Sequence, residues 1–300
     1  MIKTITATVL TAAALNLSAC ATLDSGPAAQ TLINAETSAL DAPAEWVFGP
    51  DKDAQIADDW AAILIDPRLE TLIDAALQNN RSLRASAEAV KRSEALLSQS
   101  RSNLLPSLTA SFAPRLGGRL EGDGISDSYT GGLSASWEAD LWGGIRAGVL
   151  ASGYDLASTQ AAFESARQAL IASVARAYIL TIETDLQIAL SEETLKAQEE
   201  TLRIVSIRYD LGAASRRELV LAESDVASAR DNLVVAKSAK TDAVLALQLL
   251  LGQYPNGELA TSPDFPNFAG DVSAGTPEDL LRRRPDIISA EYNLLSAFET

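Results

Sequence analysis

The chain of 300 residues is 47% hydrophobic yet only 5% aromatic, and it carries a formal net charge of −16. Acidity on that scale disfavours nucleic acid and anionic membrane surfaces as partners. The lack of histidine and the single cysteine exclude His/Cys metal sites and intrachain disulfides, and no cofactor is expected.

Residues 1–19 read as an export signal: Lys3 supplies the positive end, and an apolar segment follows at 5–17. Leu17-Ser18-Ala19-Cys20 ends it. That tetrad resembles a bacterial lipobox, whose cysteine is lipidated and becomes the first mature residue; the rival reading is a plain signal peptide. Three acyl chains, at about 0.8 kcal/mol per buried CH₂, would make detachment negligible. Ala21, in place of an aspartate, resembles the sorting pattern for an outer membrane. Residues 20–57 are rich in Ala, Pro, Ser, Thr and Asp without periodicity, and read as a lipidated tether with Trp46 as its docking point. No run of about 20 apolar residues follows the signal, so no transmembrane helix is expected.

Asp66-Pro67 opens a short helix with an apolar face of Leu69, Leu72, Ile73, Ala76 and Leu77. Asn79-Asn80 interrupts it, and a second helix carries Leu83, Val90, Leu97 and Leu104 at a spacing of seven. The two occupy 58–105. Pro106 then changes the period from helical to two. Leu108, Ala110 and Phe112 alternate with Ser107, Thr109 and Ser111. After a Gly/Asp/Ser loop the alternation resumes. Tyr129, Gly131, Leu133, Ala135, Trp137, Ala139 and Leu141 take one side, and Thr130, Gly132, Ser134, Ser136, Glu138 and Asp140 the other. A dyad period over about ten residues is the signature of a transmembrane β-strand. Residues 106–142 are thus expected to form a transmembrane β-hairpin. Tyr129, Leu133, Ala135 and Trp137 would face lipid, Ser134, Ser136, Glu138 and Asp140 the lumen, and Tyr129, Trp137 and Trp142 would serve as interfacial aromatics. An amphipathic hairpin on a soluble core gives the same alternation. Two strands cannot span a bilayer alone, because their edges would be unpaired in hydrocarbon.

Residues 143–251 read as a long helical hairpin. No proline lies between Trp142 and Arg208, and Val174, Thr181, Ile188, Leu195, Leu202 and Tyr209 recur every seven residues. The second arm carries Leu219, Val226, Leu233 and Leu247 at one heptad position and Ala222, Ala229, Ala236, Ala243 and Leu250 at the other, with Lys240 the one break. Such periodicity predicts coiled-coil packing, and a first arm of roughly 60 residues spans about 90–100 Å. The chain must reverse at 208–215. Gly212 suits a turn that needs a positive φ, and Arg208, Leu211 and Ser215 flank it. These four either meet a partner or only shape the turn.

Residues 252–276 form a Pro/Gly/Ser-rich connector. Thr276-Pro277-Glu278-Asp279 starts a helix that Arg282-Arg283-Arg284 ends, a basic cluster read as a solvated helix end or a binding site. Pro285-Asp286 opens another. Leu83, Val90 and Ser93 fall on Ile287, Leu294 and Ala297, each 204 positions later. Residues 277–300 therefore read as the start of a second repeat, and the complete product is expected to continue beyond Thr300.

At this point the chain resembles the TolC-like outer-membrane efflux proteins, in the lipoprotein (NodT-like) branch that partners resistance-nodulation-division pumps. The resemblance runs from about Trp60 to Thr300, plus Cys20. It rests on Asp66-Pro67-x-Leu69-x-x-Leu72-Ile73-x-x-Ala76-Leu77-x-x-Asn80 and on Leu104-Leu105-Pro106-Ser107. Ser136-Trp137-Glu138-Ala139-Asp140-Leu141-Trp142-Gly143 looks like the strand-to-helix junction, with Trp142 where phenylalanine is commoner. Arg208-Tyr209-Asp210-Leu211-Gly212-Ala213-Ala214-Ser215 looks like the periplasmic tip, and Arg283-Arg284-Pro285-Asp286-Ile287 like the opening of the second repeat.

The resemblance implies a mainly α fold with a β-hairpin: a coiled-coil hairpin in a periplasmic α-barrel, plus transmembrane β-barrel strands closed only by trimerisation. The barrel would have twelve strands, four from each chain, whereas one strand pair per chain gives six. Function would be passive export of drugs or other small molecules through the outer membrane. The implied partners are a homotrimer, a periplasmic adaptor protein that would meet the tip, an inner-membrane pump and the lipid bilayer. A periplasmic adaptor or scaffold lipoprotein without a pore is the alternative, but adaptors flank their hairpins with lipoyl-like β modules that are not visible here. An enzyme is not expected, since without histidine or a second cysteine no nucleophile–base pair stands out.

Overall fold

The computed structural model describes residue 31 and residues 63–117, 126–260, 262–268 and 276–299. Cys20 and Trp46 lie outside the described residues. The elements in order are β1 (Leu64–Ile65), α1 (Pro67–Asn79), α2 (Arg81–Ser102), β2 (Ser107–Gly117), β3 (Ser126–Ser136), α3 (Gly144–Asp210), α4 (Arg216–Leu250), β4 (Asn267–Phe268), α5 (Pro277–Arg283) and α6 (Pro285–Phe298). The chain divides into two compact units, and both α2 and α3 contribute residues to each.

One unit takes its described residues from 63–87 and 163–280. Its core joins Leu69, Ile73 and Ala76 of α1, Leu83 of α2, Val174, Tyr178 and Ile182 of α3, and Leu247 and Leu251 at the end of α4. Polar groups pin that core at three points. The Asp66 carboxylate caps α1 by accepting from the N–H groups of Arg68 and Leu69, with Pro67 in the first turn as the sequence predicts. Its second oxygen accepts from the hydroxyl of fully buried Tyr178 at 2.8 Å. Burial and the neighbouring carboxylate push that phenol up to about 12, so it remains a donor at any physiological pH. Asn80 ends α1, caps α2 by accepting from the Leu83 N–H, and donates at 2.9 Å to the carbonyl of Leu250. Buried Gln248 donates to the carbonyl of Glu258 and accepts from the Gly257 N–H, which holds the connector against α4. The connector also supplies β4, which pairs antiparallel with β1, Leu64 opposite Phe268. Two-residue strands are too short for periodicity to announce, and the reading of 252–276 as a bare connector misses this one.

The heptad pattern holds along the hairpin. Ala222, Val226, Ala229, Ala236 and Ala243 of α4 are buried, while Ile188, Leu195, Leu202 and Tyr209 of α3 are half-buried. Lys240, the break in the seam, is paired with Asp185 across the arms. Lys237–Glu192 at 3.3 Å and Arg230–Glu199 at 2.8 Å continue the ladder. Acids on α3 face bases on α4. Exposed pairs of this kind contribute about 0–1 kcal/mol each, so they specify register more than stability.

The other unit includes 88–117, 126–162 and 281–299. Here α6 lies on the start of α3. Tyr154 and Tyr292 stack with centroids 6.3 Å apart, Leu295 packs with both, and the hydroxyls of Ser158 and Ser289 meet at 2.9 Å. The offset of 204 falls on a matching break: Asn80 separates α1 from α2 as Arg284 separates α5 from α6. Thr276 and Asp279 form the cap of α5, each backbone N–H donating to the other's side chain.

Candidate functional site

Two surfaces stand out, and the sequence motifs lead to both. The first is the antiparallel pair β2–β3. Its register sets Leu108 opposite Ala135, Ala110 opposite Leu133, Phe112 opposite Gly131 and Pro114 opposite Tyr129. Between them, Ser107 faces Ser136, Thr109 faces Ser134 and Ser111 faces Gly132. Across 107–112 and 131–136 one face of the ribbon is therefore apolar or glycine and the other carries small hydroxyl residues and glycine, whereas farther out Ala113 pairs with Thr130 and Arg115 with Ser128. A slip of one residue would mix the two. On the apolar face the rings of Phe112 and Tyr129 stack at 6.3 Å. On the polar face the Ser107 and Ser136 hydroxyls meet at 2.7 Å. Leu108, Phe112, Tyr129 and Leu133 are each more than 60% exposed, which soluble cores do not permit to apolar residues in a row.

The alternation predicts strand as far as Leu141, but β3 ends at Ser136. Trp137, Glu138 and Asp140 are thus off the ladder, and the period of two no longer assigns them to a face. Competing local bonds end the strand. The Trp137 indole N–H donates to the carbonyl of Leu104 at 3.1 Å, tying the two strand–helix crossings together. The Asp140 carboxylate turns to the start of α3, accepting from the N–H groups of Ile145 at 3.2 Å and Arg146 at 3.0 Å, and from the Arg146 guanidinium. Asp140 is a helix cap reached from four residues upstream of Gly144. Helix-start signals could have exposed it, because Gly143, at φ 82°, has no side chain to do that work.

The second surface is the tip between α3 and α4. The Ala213 N–H reaches back to the Arg208 carbonyl at 2.7 Å and the Gly212 N–H to Tyr209 at 2.9 Å, with Gly212 at φ 74°. That is a Schellman end, which places glycine in the left-handed position. Three residues later Ser215 caps α4 in a reciprocal capping box with Glu218. The Ser215 N–H and hydroxyl, with Arg208 nearby, hold the Glu218 carboxyl below its ordinary range. Arg208 also donates to the carbonyl of Ala213 at 3.3 Å. Arg208, Gly212 and Ser215 are thereby brought together as the scaffold of the turn. Leu211 has no such duty: it is 78% exposed.

The family description "outer membrane efflux protein" matches residues 72–253, well over half of the chain. The chain belongs to that family. Among its relatives, the pyoverdine export outer membrane protein OpmQ of Pseudomonas aeruginosa is 29% identical over 87% of this chain and 58% of its own length. The probable efflux pump outer membrane protein SepC of Pseudomonas putida is 34% identical over 82% of this chain and 52% of its own. Among solved structures, the open state of the MtrE outer membrane channel of Neisseria gonorrhoeae superposes with a TM-score of 0.67 at 30% identity, over 86% of this chain and 62% of that one. The chain thus spans little more than half the length of these members of the efflux family. Among the described residues no helix is long and apolar enough to cross a membrane.

Proposed function

We propose that this chain is part of a passive export duct in the outer membrane, serving small molecules delivered by an inner-membrane pump and a periplasmic adaptor. The observation that carries the reading is the β2–β3 ribbon, with one apolar and one hydroxyl-rich face across 107–112 and 131–136, joined directly to a helical hairpin far longer than a compact domain requires. In a bilayer Tyr129, Leu133 and Ala135 face lipid and Ser134 and Ser136 face the water-filled lumen. Trp137 and Trp142 sit at the interface, where amphipathic rings are favoured. Unpaired strand edges in hydrocarbon cost several kcal/mol per polar group. The ribbon therefore joins further strands, and closure comes through a homotrimer.

The tip reading is tested in the native host with the full-length product. The Leu211 side chain is exposed and its backbone bond to Ile207 survives substitution, so Leu211→Asp should leave the assembled channel at its normal level. Export should fall several-fold and recover with a compensating change in the adaptor. Undiminished export would leave Leu211 a turn residue only.

The anchor is tested through Cys20. Labelled palmitate should enter the wild type and not Cys20→Ser, with the variant placed less efficiently rather than lost, because the barrel strands still hold it. Equal labelling of the two would remove the lipid anchor from the account.

A further inference from the structure

We infer that Arg216 and Arg217 form a basic contact for an acidic segment of the protein that meets the tip, a proposal that rests on reading the tip as a partner surface. The two arginines occupy the first two positions of α4, where the partial positive charge of the helix disfavours cations and favours anions. Both are exposed, and neither has a hydrogen bond or ion pair among the described residues. Near the tip and along the paired arms other arginines are engaged, Arg203 with Glu200, Arg230 with Glu199 and Arg208 with the tip backbone, although exposed Arg176 on α3 has no such partner among the described residues. Helix capping does not need the pair either, since Ser215 and Glu218 complete that box.

The local charge is unusual as well. The whole chain carries −16, yet 208–218 holds Arg208, Arg216 and Arg217 against Asp210 and Glu218. Exposed Leu211 and Leu221 lie close in sequence on either side. Two cations placed against the helix dipole, without an internal partner, break a local rule with no structural gain, and such breaks collect at functional sites. Carboxylates are the matching chemistry, because a guanidinium fork takes a carboxylate in a bidentate pair. The fitting occupant is a short turn or helix end of the partner bearing Asp or Glu beside an apolar residue.

The experiment uses the full-length protein in its native host, with a photo-crosslinking residue at exposed position Ala213. Crosslinking to a second protein should fall at least ten-fold in R216E/R217E and persist in R216K/R217K. The crosslinked peptide should contain Asp or Glu, and changing that acid to Lys should restore crosslinking to R216E/R217E. Glutamates suit the first helical turn, so purified R216E/R217E should melt no lower than the wild type, which separates lost contact from lost fold. A lower melting temperature would assign the arginines to the fold and overturn the proposal. Undiminished crosslinking in R216E/R217E would overturn the acidic contact while leaving the tip as a partner surface. Crosslinks only to other copies of this chain, or none, would overturn the partner reading itself.

Discussion

Gly252→Ala is expected to destabilise the folded protein by about 2–5 kcal/mol, combining a left-handed backbone penalty of about 1–2 kcal/mol with about 1–3 kcal/mol for the loss of a partly buried hydrogen bond. Gly252 ends α4 in the same way that Gly212 ends α3: its N–H reaches the Leu249 carbonyl at 3.1 Å, and the Gln253 N–H reaches Gln248 at 3.0 Å. Both glycines have positive φ, 69° and 74°. Their surroundings differ. A Cβ at Gly212 would meet nothing within 4 Å, whereas at Gly252 it would collide with the carbonyl oxygen of Asn79 and lie 2.8 Å from the carbonyl carbon. That obstacle is backbone and cannot swing aside. The end of α1 must move, and Asn80, which bonds Leu250 from the next position, moves with it. Gly212→Ala should therefore cost only the strain, about 1–2 kcal/mol. Urea titrations of the two purified variants, followed by helix content, make the comparison. Equal midpoints would show that the approach to Asn79 does not matter.

Leu133→Arg should remove most of the assembled channel, while Ser134→Arg should leave it nearly intact. The two residues are neighbours on β3 and differ only in face: Leu133 lies opposite Ala110 and Ser134 opposite Thr109. On a lipid-facing surface near the midplane an arginine costs about 2–4 kcal/mol, against little in a watery lumen. A spread of that size is roughly a 30- to 700-fold change in an assembly equilibrium, at about 1.4 kcal/mol per factor of ten. Heat-resistant oligomer in membrane fractions provides the measurement. Similar yields for the two variants would show that the ribbon does not divide lipid from water.

Most of the architecture was legible in local chemistry. Proline at the first helical position, glycine at the tip, a seven-residue repeat and a two-residue repeat each have a fixed physical cause, and all four lead to the elements observed. What stayed hidden depends on residues far apart in the chain. Nothing near Tyr178 announces Asp66, 112 positions away, and nothing near Asn80 announces Leu250, 170 positions away. Lys240 looked like a flaw because its partner, Asp185, lies on the other arm. The end of β3 was misjudged for a different reason. Periodicity continues through Trp137, Glu138 and Asp140, but bonding Leu104 takes Trp137, and capping α3 takes Asp140, out of the ladder. The tip residues lie together as the motif indicates, and among them Leu211 alone presents a large, exposed apolar side chain, its N–H being bonded to the Ile207 carbonyl.

The tie between Asn80 and Leu250 also has a consequence in time. Chains are made from the N-terminus at about 5–20 residues per second, so the 170 residues that separate the two take roughly 10–30 s to synthesise. Throughout that interval Leu69, Ile73 and Ala76 have no Leu247 or Leu251 to pack against. Contacts of such long sequence separation form slowly, and the apolar face of α1 stays open to misassociation until they do. The nascent chain therefore carries a risk of misassociation at α1 throughout that interval, and a holding chaperone would act there.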